Sequence, residues 1–167
     1  MRESKSFSSK KDLITYYNNL FKSADNILVR NIRAQYLGIN VFSINNNAFK
    51  DFPISDNEYA IKFLEFLENK LEKVYDEMAK DIYTRRAIFN VDDWMFDENM
   101  PSCFNTFHFV YRSNCVNLIV YLRSSDFASK FINDISISIE LLRIVSAEIY
   151  MPLGELIVFQ GDFHNVI

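Results

Sequence analysis

Apolar residues recur along this chain in two periods, and the changes between them mark its elements. Leu13, Tyr16, Leu20 and Phe21 keep helical spacing up to about Lys22, with Ser9 placed to cap the run. Tyr36 to Ile44 alternates as a strand, with Gly38 as a bulge or close-approach position, and Asn45-Asn46-Asn47 makes a turn. Pro53 to Asp56 reads as loop, with Asp56 as a helix cap. From Tyr59 to Lys80 the spacing predicts one long amphipathic helix. Leu64, Leu67, Leu71, Val74 and Met78 form its stripe, and Glu and Lys fill the other faces.

Arg86 to Val91 reads as a strand and Asp92 to Ser102 as an irregular acidic loop. Phe104 to Arg112 and Cys115 to Arg123 then pair as a hairpin across Ser113-Asn114. Ile135 to Ile149 is apolar on more than one side and predicts a buried helix. Pro152-Leu153-Gly154 breaks it, and Glu155 to Gln160 is a final strand ending in Gly161-Asp162-Phe163-His164. Helices interspersed with antiparallel strands predict an α+β fold, and 167 residues suit one domain over 1–167.

Composition adds little to this picture. A 49% hydrophobic content with three Gly and three Pro indicates an ordered core rather than a linker. Sixteen Phe and nine Tyr, among many Asn, Ile and Lys, fit the AT-rich coding of a phage or another AT-rich genome, and name no function. A net charge of −4 speaks against a general nucleic-acid binder, so clustered arginines point to a local anion site. Met1 to Lys11 is polar and basic without the apolar core of an export signal, and no apolar run reaches membrane-spanning length. A soluble cytoplasmic protein with Cys103 and Cys115 reduced, no membrane partner and no metal is the expectation.

The candidate chemistry lies in the second half. Arg85-Arg86 comes first, then Met100-Pro101-Ser102-Cys103, then Arg123-Ser124-Ser125-Asp126, and last Gly161-Asp162-Phe163-His164. Planar guanidinium forks suit bidentate bonds to phosphate oxygens. A thiolate can attack an electrophilic ring when nearby cations favour it. A histidine can grip a sugar hydroxyl.

In this order and at these distances the motifs resemble thymidylate synthase and the pyrimidine nucleotide hydroxymethylases. The resemblance implies a mixed sheet with flanking helices and a sheet-to-sheet homodimer. It implies a pyrimidine nucleoside monophosphate as substrate and 5,10-methylenetetrahydrofolate as one-carbon donor. Arg123 and Ser124 match the Arg-Ser that holds phosphate, Arg85 and Arg86 the pair that crosses from the other subunit, and Arg33 the arginine of a phosphate-capping loop. Cys103 matches the nucleophile that adds to C6. His164 matches the residue that binds the sugar 3′-hydroxyl, and Asp126 the aspartate that contacts folate.

An ungapped count from Asp126 puts Asp134 at the base-reading position. Thymidylate synthases carry Asn there, which both donates and accepts as uracil requires, while the cytosine-specific hydroxymethylases carry Asp. Cytosine is therefore the expected base. Asn133 next door would restore the uracil type after a one-residue shift, and an Asp just ahead of a helix is also an ordinary N-cap.

The departures are specific. Phe104 follows the nucleophile where the family often has His, and Val166 stands where a Tyr usually joins the sugar-binding histidine. The water-ordering Glu of the long helix is unassigned, with Glu65 and Glu68 as candidates. The segment before Arg85 is short, so a Trp and a Tyr of the pocket are unaccounted for, and Trp94 does not replace them. Measured against the family, a central insertion, the last strands and the tail that closes over folate are missing. One-carbon transfer to C5 is the leading reading, with hydroxymethylation ahead of methylation. A catalytically degenerate nucleotide binder, or a regulatory or structural dimer module, is the alternative.

Overall fold

The structure, a computed structural model, describes residues 5–29, 32–54, 58–91 and 102–166, with the side chains of 27–32 excepted. Asp56, the 92–101 loop with Trp94, and Met100-Pro101 lie outside the described residues. The elements are β1 (Lys5–Phe7), α1 (Lys10–Phe21), β2 (Asp25–Val29), β3 (Ile32–Ile44), a 3₁₀ turn (Asn46–Asp51), α2 (Glu58–Glu68) and α3 (Leu71–Lys80). They continue with β4 (Ile88–Asn90), β5 (Phe104–Arg112), β6 (Cys115–Leu122), β7 (Ser125–Asp126), α4 (Phe131–Glu148) and β8 (Leu153–Val166). The predicted α+β class is the observed one. Among the described residues, eight strands form one mixed sheet in the order β1-β3-β8-β6-β5-β4, with β2 paired to β3 and β7 to β8.

Local chemistry explains the elements that the pattern anticipated. Ser9 Oγ accepts from Asp12 N at 3.1 Å and caps α1, whose buried Leu13, Tyr17 and Phe21 recur every four residues. Ser113 and Asn114 both take positive φ, 54° and 61°, the twist that a two-residue hairpin needs between β5 and β6. Leu64, Leu67, Leu71, Val74 and Met78 are all buried.

Other expectations need correction. The stretch from Tyr59 to Lys80 is two helices, interrupted at Asn69-Lys70. Asn69 Nδ2 donates to Glu65 O at 2.9 Å, and Lys70 N bonds Leu67 O, so the side chain and a tighter turn take over the backbone acceptors there. The strand expected from Arg86 is confined to Ile88–Asn90. The helix expected from Ile135 starts at Phe131, which sets Asp134 inside its first turn and overturns the N-cap reading. β8 runs to Val166, so Gly161-Asp162-Phe163-His164 lies within a strand rather than at its end. β1 and β2 were not anticipated.

β8 is the structural centre, antiparallel to β3 and parallel to β6. Its register against β3 shifts twice around Gly38, which sits at φ 73°. The shift puts Gln160 and Phe163, three apart, both in the buried layer. Helices cover one face of the sheet. The other keeps Val41, Phe159 and Tyr121 in one cross-strand row, and Ser43, Ile157, Ile119 and His108 in the next, all half-buried or exposed. Tyr121 and Phe159 stack there with centroids 4.9 Å apart.

Gly154 opens β8 where a Cβ would stand 2.7 Å from Val116 O and 2.2 Å from Asn117 Oδ1. Asn117 Oδ1 also accepts from Glu155 N at 2.9 Å, so it is not free to retreat. Gly154→Ala is therefore expected to lower stability by about 1–3 kcal/mol, read as a shift in the urea midpoint at unchanged slope.

Candidate active site

The strand pairing of β5 with β6 folds the Ser-Cys turn onto the Arg-Ser segment. Arg123 N donates to Cys103 O at 2.9 Å and Arg123 Nε to Ser102 O at 3.3 Å. Ser124 Oγ donates to Cys103 Sγ at 3.7 Å. Ser102 is fully buried, and its Oγ accepts from Phe104 N at 3.1 Å, which fixes the turn ahead of the cysteine.

Asp134 enters from the first turn of α4. It is 3% exposed, and neither its Oδ2 nor the buried Ser125 Oγ has a hydrogen-bond partner. Burial pushes its carboxyl up to about 7, while the Lys130 charge and the nearby Ser125 hydroxyl act in the opposite direction. The Cys103 thiol is also raised, first by burial and then by Asp134. The Ser124 hydrogen bond, Lys130 and Arg123 oppose that rise. Both groups are thus held toward their neutral forms.

α2 contributes a residue that sequence reasoning missed. The Tyr59 ring stacks on Phe63 at 5.7 Å, and Phe63 stacks on Phe104 at 5.1 Å, next to the cysteine. The phenol is pushed up to about 12, first by burial. The Ser102 side chain works against that, and Asp134 and Cys103 add to it. Tyr59, Phe63 and Phe66 share one helix face, a pattern that by itself reads as core packing. Glu65 and Glu68 are exposed and line a separate groove with Ile54, Ile61 and Ile144.

The structure therefore brings together Cys103, Arg123, Ser124 and Asp134 of the predicted set, with Asn133 half-buried beside Asp134. His164 pairs with Asp126 of β7, three residues beyond Arg123, and its Nδ1 lies 3.5 Å from Asp162 Oδ1. Arg33 is exposed on β3. Arg85 and Arg86 are exposed and line a different cleft, with Glu77, Lys80 and Thr84. Asp126 is already engaged. Its Oδ1 accepts from Ala128 N and Val166 N, at 3.2 and 3.1 Å, and its Oδ2 from Ser129 Oγ.

A family model described as thymidylate synthase matches residues 62–165, more than half of the chain. The chain belongs to the thymidylate synthase family. The match includes Cys103, the Arg-Ser segment, Asp134 and His164, and begins within α2 just beyond Tyr59. No curated protein matches the chain. Thymidylate synthases and their relatives transfer a methyl or hydroxymethyl group to C5 of a pyrimidine nucleotide and use methylenetetrahydrofolate. Asp126, the described residue that the resemblance assigns to folate, spends its carboxylate on closing the turn after β7. Among the described residues no helix is long and apolar enough to cross a membrane.

Two outcomes test this electrostatic arrangement. Asp134→Asn removes a charge that holds the Cys103 thiol up, so alkylation by iodoacetamide is expected to reach half its maximal rate at lower pH; Lys130→Ala is expected to move it higher. Because the folded-state carboxyl of Asp134 titrates near 7, above its unfolded value, its favourable share is complete at low pH and lost as pH rises through 7. Wild type should lose on the order of 2–4 kcal/mol relative to Asp134→Asn between about pH 4 and pH 8, measured by denaturant titration.

Proposed function

We propose that this chain binds a pyrimidine nucleoside 5′-monophosphate and activates its C5 for one-carbon transfer through addition of Cys103 to C6. The observation that carries this reading is the buried Asp134 carboxyl, with an unpartnered oxygen, beside a cysteine that is itself held by an Arg-Ser segment. A buried carboxyl oxygen without a partner is costly unless something else completes it. The hydrogen-bonding edge of a nucleobase is a fitting complement.

The roles follow from the chemistry. Arg123 and Ser124 hold phosphate, and His164 meets the sugar. Asp134 accepts from the exocyclic amino group of cytosine, so dCMP is the favoured ligand and hydroxymethylation the favoured outcome. A thiolate at C6 leaves the ring electron-rich at C5, the carbon that takes the one-carbon unit. Arg33, Arg85 and Arg86 complete the phosphate site in this reading, the last two from a second copy. The open sheet face with Tyr121, Phe159 and Ile157 supports a sheet-to-sheet dimer, since an exposed apolar surface of this kind is usually covered.

One observation favours the second reading, a nucleotide binder that does not turn its ligand over. The Cys103 thiol is raised rather than lowered, which leaves less thiolate at neutral pH.

A panel of dCMP, dUMP, CMP, UMP and inorganic phosphate separates the two. A bound monophosphate at about a hundred times its dissociation constant should raise the melting midpoint by about 5–10 °C. Exchange of the C5 hydrogen with solvent, lost in Cys103→Ser while the thermal shift persists, would establish the nucleophile. A shift without exchange in wild type would favour the silent binder, and no shift with any ligand would refute both.

A further inference from the structure

Glu65 and Glu68 of α2 are exposed and line a groove that does not include the cysteine, yet the reaction at C5 needs a group to manage a proton there. α2 offers Tyr59 instead. Its ring stacks on Phe63, which stacks in turn on Phe104 beside the cysteine, and its phenol lies near enough to Ser102, Cys103 and Asp134 for all three to act on it. The ring of a pyrimidine fixes what that means. Cys103 attacks C6, Asp134 reads the edge formed by N3 and the C4 substituent, and N1 is blocked by the sugar. A group that neighbours both the C6 nucleophile and the C4 reader stands beside C5.

The hydrogen-bond chemistry agrees. Ser102 Oγ accepts from Phe104 N, so the serine proton is available to the phenol oxygen, and this leaves the phenol O–H free to donate elsewhere. Stacking on Phe63 holds the ring in place. Tyr59 is only partly buried, so its edge is reachable. A phenol that titrates at about 12 keeps its proton, which makes it a donor and not a base.

We propose that Tyr59 is a positioning residue that donates its hydroxyl proton to a water over C5 of the bound pyrimidine, and that this water exchanges the C5 hydrogen. The step balances without another reactant. The Cys103 thiolate forms the sulfur–C6 bond, and the former C5–C6 π pair takes a proton from the water, leaving hydroxide. In reverse, hydroxide removes one of the two hydrogens at C5, the double bond re-forms and the thiolate leaves. The inference rests on the nucleotide reading above.

The test compares wild type with Tyr59→Phe in three measurements. These are nucleotide binding by titration calorimetry, the rate of Cys103 alkylation, and release of deuterium from 5-deuterated dCMP or dUMP. Tyr59→Phe should leave binding and alkylation within about twofold and slow exchange by about tenfold to a hundredfold. A role in packing alone would move all three together, or none, and either result overturns the proposal. Should Tyr59→Phe fold poorly, Ser102→Ala provides the second variant, expected to slow exchange by about threefold to tenfold with binding within about twofold; unchanged exchange, or exchange and binding lost together, counts against Tyr59. If wild type binds nucleotide and exchanges it at a rate unaffected by Tyr59→Phe, only this inference fails. If wild type neither binds nor exchanges, the nucleotide reading fails with it.

Discussion

The contact between Phe163 of β8 and Phe131 of α4, with ring centroids 5.1 Å apart, sets the geometry of the strand ends. Tyr17 meets the same Phe163 edge-on at 4.9 Å, and Phe21 and Phe127 close the cluster. Each such pair contributes on the order of 1 kcal/mol beyond the area it buries. Asp134 follows Phe131 by three residues on the same helix face. Burying the phenylalanine therefore carries the carboxyl inward, whatever its own hydration would favour. Gly-Asp-Phe-His thus has a structural half and a chemical half. Phe163 anchors it, and His164 faces the other side.

That coupling explains how a site of two mutually unfavourable groups persists. Burial raises both groups and Asp134 adds to the rise at Cys103, so each is held toward its neutral form beside the other. The surrounding core offsets the cost. Beneath it, Asn40 Nδ2 bonds both the Tyr17 hydroxyl, at 2.7 Å, and Gln160 Oε1, at 2.6 Å, a buried polar link between α1 and the two central strands.

Legibility in the sequence followed the range of the interaction. The β5–β6 hairpin, the cap at Ser9 and the leucine stripe depend on neighbours within a few residues, and each was readable. The break at Asn69, the early start of α4 and the length of β8 depend on tertiary partners. Phe131 is helical because it has Phe163 and Phe42 to pack against, and nothing near it in sequence says so. β1 and β2 are short and acquire their identity from β3. Cys103, Arg123, Ser124 and Asp134 were legible through motif resemblance, and the structure adds their proximity. Tyr59 is not legible in the sequence because an aromatic at helical spacing has the pattern of core packing.

The pairing of β3 with β8 has a consequence for how the molecule forms. Asn40 lies opposite Gln160, and Tyr36 opposite His164, across most of the chain. Pairings this distant close slowly, since the entropy of a large loop must be overcome before any contact forms. The β5–β6 hairpin can assemble on its own, whereas β3 waits for a partner synthesised long after it. Until β8 arrives, Phe42 and Ile44 have no central strand to lie beside, and the newborn chain carries an open edge. The candidate site, built from segments that β8 unites, is then among the last parts of the protein to exist.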